Sequence, residues 1–277
     1  MRTAALLTCH NRKEKTRKCL SSLLSVGADF DVYVVDDGST DGTYEMIRHC
    51  FPKVNIIRGN GDLYWSRGMH AAMKEAVKKD YDFYIWLNDD VELMHFFWDE
   101  LKMCSESYSG KSIVSGLVGC SGRDGVLYGG YDDANHLLQE TGETQNIKYM
   151  NGNVVLIPRT AVRKIGIIDP VYHHDLGDVD YGLTAQEHGI KVITTKRIIA
   201  FGHPNHYCRV RKWGVSLIER FAHLNHPLGS PILTNFYFRK KHFGLLHAFA
   251  FCSFLIVLNI LPDFAVARIW GDYYKDK

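Results

Sequence analysis

Two adjacent aspartates in the first third of the sequence are the side chains best placed to do chemistry. Asp89 and Asp90 come one residue after the apolar run 83–87, with Asn88 between. A short apolar strand that ends in acids places them at the carboxyl edge of a sheet, where open α/β folds bind ligands. Adjacent carboxylates repel each other unless a cation lies between them, and their oxygens suit Mg²⁺ or Mn²⁺. The pattern predicts a divalent-metal site, although a plain turn explains an Asp-Asp pair equally well.

Alternating apolar and amphipathic runs predict the elements that position these acids. Strands are expected over 3–8, 31–36, 54–58, 83–87, 113–120, 149–157, 191–195 and 198–202. Helices are expected over 15–26, 44–50, 69–79, 94–108 and 160–165, and another after the acidic segment 173–180, whereas 121–145 is expected to be a loop or small hairpin. Strands that alternate with helices favour βαβ units. The predicted fold class is therefore α/β, with helices flanking a mainly parallel central sheet.

Composition and missing motifs exclude several classes of protein. A formal net charge of +2 over 277 residues gives no field that attracts nucleic acid, so no such partner is expected. Seven scattered cysteines without a Cys-x-x-Cys pair favour a reducing compartment. The first apolar run is too short for a signal peptide, so a cytoplasmic protein is expected. The chain lacks Gly-x-Gly-x-x-Gly after its first strand and a Gly-Lys-Ser/Thr loop, which disfavours Rossmann dehydrogenases and P-loop nucleotidases.

Polar residues also follow the first two predicted strands. The second strand ends in residues 36–43, which read Asp-Asp-Gly-Ser-Thr-Asp-Gly-Thr. The glycines allow a tight turn, and the hydroxyl and acid side chains can cap the next helix. Asp37, at the strand tip, can also accept a hydrogen bond from a nucleobase N–H group. Thr8 and Arg12, after the first strand, would border the same pocket.

Four ordered motifs resemble those of the family 2 glycosyltransferases. They are 8–12 (Thr-Cys-His-Asn-Arg), 35–43, 88–90 (Asn-Asp-Asp) in place of the D-x-D metal motif, and 177–181 (Gly-Asp-Val-Asp-Tyr) in place of E-D-x-D. Residues 59–69 resemble the family's Gly-rich nucleotide loop, and their aromatics are similar to those of a rhamnosyltransferase-like subset. The resemblance extends over about the first 205 residues. It implies a GT-A fold, a nucleotide-sugar donor, a divalent metal and inversion at the anomeric carbon.

The resemblance also implies roles for individual residues. Asp178 would be the catalytic base that takes a proton from the acceptor hydroxyl. The metal, Mg²⁺ or Mn²⁺, would bind Asp90 and His203, with His206 as the alternative to His203. Residues that would contact the nucleotide sugar are Thr8, Arg12, Asp37, Arg67, Asn88 and Asp89. Residues that would contact the acceptor are Asn153, His174 and Asp180.

Some of these assignments have a structural alternative, and three positions depart from the family pattern. A solvated helix-start position explains Arg67 as well as a diphosphate contact does. Helix capping explains one of the two acids at 178 and 180, and we assign it to Asp180. The departures are Asn88 for Asp, Gly177 for an acid and Met69 for Asn. Because Asn88 replaces the first acid, Asp90 is the expected direct ligand.

The last third of the sequence changes character. Residues 243–261 are almost continuously apolar, and as one helix they would span about 28 Å, close to a bilayer core. Basic residues 239–242 precede this stretch and aromatic residues follow it, which is typical of an interfacial anchor. Packing on the catalytic domain and a homodimer contact are the alternatives. We expect a catalytic domain over 1–205 and a helical extension over 206–277 that attaches peripherally to the inner face of the cell membrane.

The expected function is inverting transfer of a sugar from a nucleotide-diphosphate donor to a glycan acceptor. The acceptor is expected to be lipid-linked, in bacterial surface polysaccharide synthesis such as that of capsule or O-antigen. Arg209, Arg211 and Lys212 would meet the acceptor diphosphate, or else form a solvated basic patch. A non-catalytic nucleotide-sugar or glycan-binding protein is one alternative. A sugar nucleotidyltransferase is another, although residues 8–12 lack the Gly-rich basic loop that it would need.

Overall fold

The computed structural model describes residues 1–204 and 207–275 of the 277-residue chain. The chain divides into two compact units. The first contains Met1–His173 and Gly177–Pro204. The second contains His174–Leu176 and the C-terminal residues 207–275.

The first unit is built on a mixed nine-stranded sheet. Its N-terminal half consists of β1 (Thr3–Cys9), α1 (Lys13–Ser25), β2 (Phe30–Asp36), α2 (Thr43–Cys50), β3 (Asn55–Arg58), α3 (Tyr64–Ala76) and β4 (Phe83–Asn88). The strands lie in the order β3-β2-β1-β4 and are parallel. Because parallel strands share a carboxyl edge, the residues that follow β1, β2 and β4 meet at one end of the sheet.

The remainder of the first unit completes the sheet with strands of both directions. Its elements are β5 (Glu92–Leu93), α4 (Phe97–Glu106), β6 (Ile113–Cys120), β7 (Arg123–Tyr128), β8 (Gly130–Tyr131), β9 (Tyr149–Met150), β10 (Val154–Pro158), α5 (Arg159–Ile165), α6 (Gly177–Glu187) and β11 (Val192–Gly202). β10 runs antiparallel between β4 and β6, and β11 runs parallel to β6. β5 pairs with β11, β7 pairs with β6, and β8 and β9 form a separate small sheet. The predicted α/β class is confirmed.

Apolar side chains cover both faces of the sheet. On β1, Ala5 and Leu7 belong to one buried cluster, whereas Ala4 and Leu6 belong to another. Successive side chains of a strand point to opposite faces, so a strand covered on both sides must be apolar at every position. Helices α1 and α4 contribute to the first cluster, and α3 and α6 to the second.

Element boundaries differ from the predicted ones in several places. Helix α3 begins at Tyr64 instead of residue 69, so Arg67 lies in its first turn. The strand expected over 149–157 is interrupted by residues 151–153 and forms β9 and β10. The two strands expected over 191–195 and 198–202 are one strand, β11, whose pairing with β6 is irregular in between.

The second unit is helical. Its helices are α7 (Leu217–Asn225), α8 (Ile232–Phe243), α9 (Leu245–Ile260) and α10 (Asp263–Trp270). The helix expected over 243–261 is present but shorter, because Gly244, with φ of 88°, separates α8 from α9. Helix α9 has 16 residues and is about 24 Å long, against about 30 Å for a hydrocarbon core. Among the described residues, no helix combines the length and hydropathy that crossing a bilayer requires.

Two buried arginines close the C-terminal end of α9. Arg211 and Arg220 each donate to the carbonyl oxygen of Leu261, at 2.9 Å in both cases. Both also reach the carboxylate of Asp263, at 2.6 and 3.0 Å. Positive charge is favourable at a helix C-terminus, where carbonyl groups lack partners within the helix. The pair therefore stabilises the turn between α9 and α10.

This arrangement corrects one prediction for the basic residues 209–212. The side chain of Arg211 is fully buried, so its predicted contact with an acceptor diphosphate is wrong. Arg209 forms an ion pair with Asp175 at 2.9 Å, within the same unit. Lys212 is exposed.

Candidate active site

Asp37, directly after β2, organises the loop that leads into α3. One carboxylate oxygen accepts the N–H of Gly61 at 2.8 Å, and the other accepts those of Leu63 and Tyr64 at 2.9 and 3.0 Å. The first N–H groups of a helix have no partner within it. The acid therefore explains why α3 begins at Tyr64. A carboxylate can accept about four hydrogen bonds, so the nucleobase contact of Asp37 stays a prediction.

Two glycines allow neighbouring segments of the chain to pack closely at this edge of the sheet. An ideal Cβ on Gly38 would lie only 2.9 Å from the backbone nitrogen of Gly61. A Cβ on Gly68, in α3, would overlap the side chain of Thr8 at the end of β1. Glycine at both positions lets the residues after β1 and β2 pack against the start of α3. Thr8 is buried there, and its donor contact stays a prediction.

A guanidinium group lies between the two adjacent acids. Nη1 of Arg12 lies 3.1 Å from Oδ1 of Asp89 and 2.9 Å from Oδ2 of Asp90. Lys15 approaches the same oxygen of Asp90 at 3.8 Å. Burial lowers the pKa of Arg12, but the charges of the two acids outweigh it and the net shift is upward. The cation that the acid pair requires is thus supplied by the chain itself.

The two acids have different surroundings. Asp89 is 5% exposed, and its second oxygen accepts the hydroxyl of Thr16 at 3.2 Å. Burial raises the pKa of Asp89 to about 6, while the charge of Arg12 acts in the opposite direction. The side chain of Asp90 is 22% exposed. Within the described part of the chain, no group donates a hydrogen bond to its Oδ1. Asp90 is therefore the acid with an oxygen available to a ligand.

A metal ion fits Asp90 only if other ligands come from outside the protein. No group of three or more His, Cys, Asp or Glu residues among those described is arranged to hold an ion. Mg²⁺ is commonly held by one or two carboxylates together with water and substrate phosphates. The antiparallel register pairs Glu92 with Phe201, and Asp90 and His203 lie just beyond these paired strands, so the predicted metal contact of His203 stays a prediction. The alternative His206 lies outside the described residues.

A chain of hydrogen bonds links the end of β4 to the start of α6. The side-chain amide of Asn88 donates to Oδ1 of Asn153 at 2.6 Å, and its backbone N–H donates to the carbonyl of the same residue at 2.9 Å. One residue earlier, the N–H of Gly152 donates to Oδ2 of Asp178 at 2.7 Å. The structure thus brings the predicted base, a predicted acceptor residue and the residue before the acid pair into one place.

Gly152 makes this approach of the elements possible. An ideal Cβ there would lie 2.5 Å from the ring of Trp65 and 3.1 Å from Cβ of Asp178. The Trp65 ring packs edge-on against Trp86 at 5.8 Å, and Trp86 lies 5.0 Å from the ring of Tyr181. These rings connect α3, β4 and α6 beneath the hydrogen-bond network. Sequence reasoning missed the role of both Gly152 and Trp65, although a glycine between two asparagines before a strand was a usable signal.

Two buried polar atoms of this region lack a hydrogen-bond partner in the described part of the chain. They are Oδ1 of Asn88, an acceptor, and Nε1 of Trp65, a donor. Buried polar atoms in folded proteins are nearly always paired. Both atoms are also inaccessible to solvent, so a ligand would reach them only if the surrounding side chains moved.

Two predicted site residues have structural partners within the protein. Asp180 is buried and accepts the hydroxyl of Tyr172 at 2.8 Å. Its predicted contact with an acceptor stays a prediction. Nε of Arg67 donates to the carbonyl oxygen of Pro170 at 2.9 Å, which ties α3 to the segment before α6. The predicted contact of Arg67 with the donor stays a prediction.

The adjacent residues His173 and His174 belong to different units. The carbonyl oxygen of His173 accepts the N–H of Ser66 at 2.9 Å. Burial, and then the charge of Arg67, lower the pKa of the His173 ring, which favours its neutral form. His174 is half-buried and belongs to the three-residue segment of the second unit. Its acceptor contact stays a prediction.

Comparisons with known proteins agree with this architecture. Residues 5–103 match the sequence profile described as Glycosyl transferase family 2, which supports the resemblance over the N-terminal part of the chain. No curated protein matches the sequence. The solved structure of S. aureus TarS 1-349 in complex with UDP has a TM-score of 0.57 and 14% identity, and the match covers 100% of this chain and 76% of that chain.

Two further solved structures are similar. The mannosyltransferase PcManGT from Pyrobaculum calidifontis, in complex with GDP-Man and Mn²⁺, has a TM-score of 0.54 and 15% identity, with 97% of this chain and 75% of that chain covered. GalNAc-T7 with UDP, GalNAc and Mn²⁺ has a TM-score of 0.57 and 13% identity, with 99% of this chain and 58% of that chain covered. At these identities the likeness shows the fold, and the predicted GT-A fold is confirmed.

Proposed function

We propose that this chain is an inverting glycosyltransferase, which moves a sugar from a nucleotide-diphosphate donor to a hydroxyl group of a glycan acceptor. The observation that carries the proposal is the Asn88–Asn153 pair, because it connects the acid pair to Asp178 through Gly152. Glycosyl transfer needs a positive charge beside the departing diphosphate and a base beside the attacking hydroxyl group. Neighbouring segments of one unit supply residues suited to both tasks.

Asp178 would be the base. Its two oxygens accept backbone N–H groups of Gly152 and Val179, at 2.7 and 2.9 Å, which orient the carboxylate. The proton of the acceptor hydroxyl moves to Asp178 as the hydroxyl oxygen forms a bond to the anomeric carbon. The bond between that carbon and the diphosphate oxygen breaks on the opposite face, so the anomeric configuration inverts.

The other predicted residues would hold the donor. Asp90, with His203 as a second ligand, would bind Mg²⁺ or Mn²⁺, which offsets negative charge on the diphosphate when bound. Two of the similar solved structures hold Mn²⁺. Asp37 and the loop that it organises would contact the nucleoside. Asn88 would contact the nucleotide sugar.

We also propose that the second unit attaches to the inner membrane surface, where the acceptor would be lipid-linked. Helix α9 buries Cys252 and Leu255 on one face, and its exposed apolar side chains recur at helical spacing: Leu246, Phe249, Ile256, Val257 and Ile260. Residues 220–262 contain no Asp or Glu, whereas Lys240 and Lys241 lie in the last turn of α8. An apolar face beside basic residues suits an anionic bilayer surface. Such an enzyme would serve bacterial surface polysaccharide synthesis.

A panel of nucleotide sugars tests the activity. The purified chain is incubated with a lipid-diphosphate-linked glycan as acceptor and with nucleotide-linked glucose, N-acetylglucosamine, mannose or rhamnose, and release of nucleoside diphosphate is measured. We expect turnover of one donor, its loss on chelation and its recovery with Mn²⁺. Rhamnose as the sugar would support the rhamnosyltransferase-like subset. Donor binding without release would instead indicate a binding protein, and synthesis of a nucleotide sugar from a nucleoside triphosphate would indicate a nucleotidyltransferase.

A further inference from the structure

The position of Arg12 has a consequence for metal binding. We infer that Arg12 is a built-in countercharge that competes with a divalent cation for Asp90, holding the acid pair together until an ion replaces it. The inference rests on the proposed function, since it concerns the metal proposed at Asp90. It assigns Arg12 a task different from the donor contact predicted from the sequence.

The contact geometry supports competition. A single atom, Nη1 of Arg12, bridges Asp89 and Asp90 at 3.1 and 2.9 Å. An ion that approached both carboxylates would need the place that this nitrogen holds. An ion bound to Asp90 alone would still lie a few ångströms from the guanidinium, and like charges at such a separation repel strongly where water is partly excluded.

The three groups differ in how readily they can move. The side chain of Asp89 is 6% exposed, and the hydroxyl of Thr16 fixes its second oxygen. The side chain of Arg12 is 47% exposed and lies directly before the first residue of α1. Rotation of Arg12 toward solvent would therefore free the acid pair while Asp89 keeps its position. Lys15 contacts only Asp90, at 3.8 Å, so its effect should be smaller.

Mn²⁺ binding measured without donor tests the inference. The full chain is titrated with Mn²⁺, and the free ion is followed by electron paramagnetic resonance, for the wild type, Arg12→Gln and Arg12→Lys. Removing the competing charge should tighten Mn²⁺ binding by about tenfold in Arg12→Gln. Arg12→Lys keeps the charge, so its Mn²⁺ affinity should stay closer to that of the wild type.

Arg17→Gln is the matched control. Arg17 lies on the same helix and pairs with Glu14 at 2.6 Å, so this variant removes the same charge away from the acid pair. Screening by salt should leave its Mn²⁺ affinity within about twofold of the wild type. A tightening equal to that of Arg12→Gln would overturn the inference, because net charge alone would then explain the effect.

Thermal unfolding is a second measurement, which tests the inference even if Arg12→Gln is less stable than the wild type. Without Arg12, the buried carboxylate of Asp89 loses its countercharge, so the melting temperature should fall. Mn²⁺ should then raise the melting temperature of Arg12→Gln more than that of the wild type, because a ligand that binds only the folded state stabilises it. Adding Asp90→Asn to Arg12→Gln should abolish this rise.

The remaining outcomes separate the inference from the proposed function. Equal Mn²⁺ affinity in the wild type and Arg12→Gln, lost in both with Asp90→Asn, would overturn the inference and keep the metal site. Weaker binding in Arg12→Gln would also overturn it, because Arg12 would then be positioning Asp90 for the ion. No binding that depends on Asp90 in any variant would overturn both the inference and the proposed metal site.

Discussion

The two units of the chain treat their apolar side chains in opposite ways. In the first unit, both faces of the sheet are covered by buried apolar clusters. Among the described residues, four large apolar side chains are exposed in the first unit and sixteen in the second. Soluble proteins seldom expose an apolar patch without a function for it. The first unit therefore buries its apolar side chains within itself, whereas the second presents a face that an apolar partner would cover.

The units also use buried charge differently. In the second unit, Arg211 and Arg220 neutralise Asp263 and cap carbonyl groups, so their charges hold a turn in place. In the first unit, the charged pair of Arg12 and Asp90 lies at the sheet edge and is partly exposed. The charges around Asp263 are thus structural, whereas the pair of Arg12 and Asp90 is accessible to ligands. This difference can be tested in each unit separately.

The largest expected effect is on the stability of the second unit. Arg211→Met should lower its free energy of unfolding by about 3–5 kcal/mol, because one partner of a buried charged network is lost. Hydrogen exchange of peptides from 207–275 in increasing urea measures this unit separately. Lys212→Met, at an exposed position, should change stability by less than about 0.5 kcal/mol. If Arg211→Met were fully stable but bound a diphosphate-linked acceptor less well, Arg211 would regain its predicted role.

The next largest effect is on catalysis in the first unit. In Gly152→Ala, the new Cβ would press on Trp65 and Asp178 and move the carboxylate from its position. A displacement of about 1 Å can cost roughly 100-fold in rate, so kcat should fall by about that factor. Gly142→Ala is the control: its φ of 79° means that the substitution strains the backbone, but a Cβ there meets no atom within 4 Å, so kcat should not change. An unchanged kcat in Gly152→Ala would mean that its contact with Asp178 does not position the base.

The smallest expected effect is on membrane binding, and it compares an exposed apolar residue of each unit. Leu246 in α9 is 86% exposed, and Leu24 in α1 is 40% exposed. Leu246→Glu should weaken binding to vesicles that contain phosphatidylglycerol by about tenfold, whereas Leu24→Glu should have no effect. Vesicle flotation measures both. If Leu246→Glu changed only the sedimentation coefficient of the protein, the exposed face would be a contact between two copies of the chain.

Local pattern was enough to predict the fold class and the acids at the sheet edge. The run 83–87 is apolar at every position because β4 is covered on both faces, and the polar residues after it were expected at the carboxyl edge. The start of α3 was missed because Asp37 sets it through a hydrogen bond to Leu63, 26 residues away. The sequence of residues 59–69 alone does not indicate that contact.

The sequence also could not predict which charged residues are buried. Asp180 at a helix start and Arg211 in a basic run look the same in sequence whether they are solvated, capping or buried. Their partners Tyr172 and Asp263 are decided by how the elements pack. The ion pair between Arg12 and Asp89 joins residues 77 apart. The sequence showed that the acids need a cation, but it did not show that the chain supplies one.

The central claim is that Asp178 removes the acceptor proton in a site that it shares with the acid pair. Release of nucleoside diphosphate by Asp178→Asn, at saturating donor and acceptor, tests it most directly, with donor affinity measured on the same preparation. We expect turnover about 10³-fold below that of the wild type, because general base catalysis is lost, and an unchanged donor affinity. Wild-type turnover in Asp178→Asn, with the donor still bound, would contradict the claim.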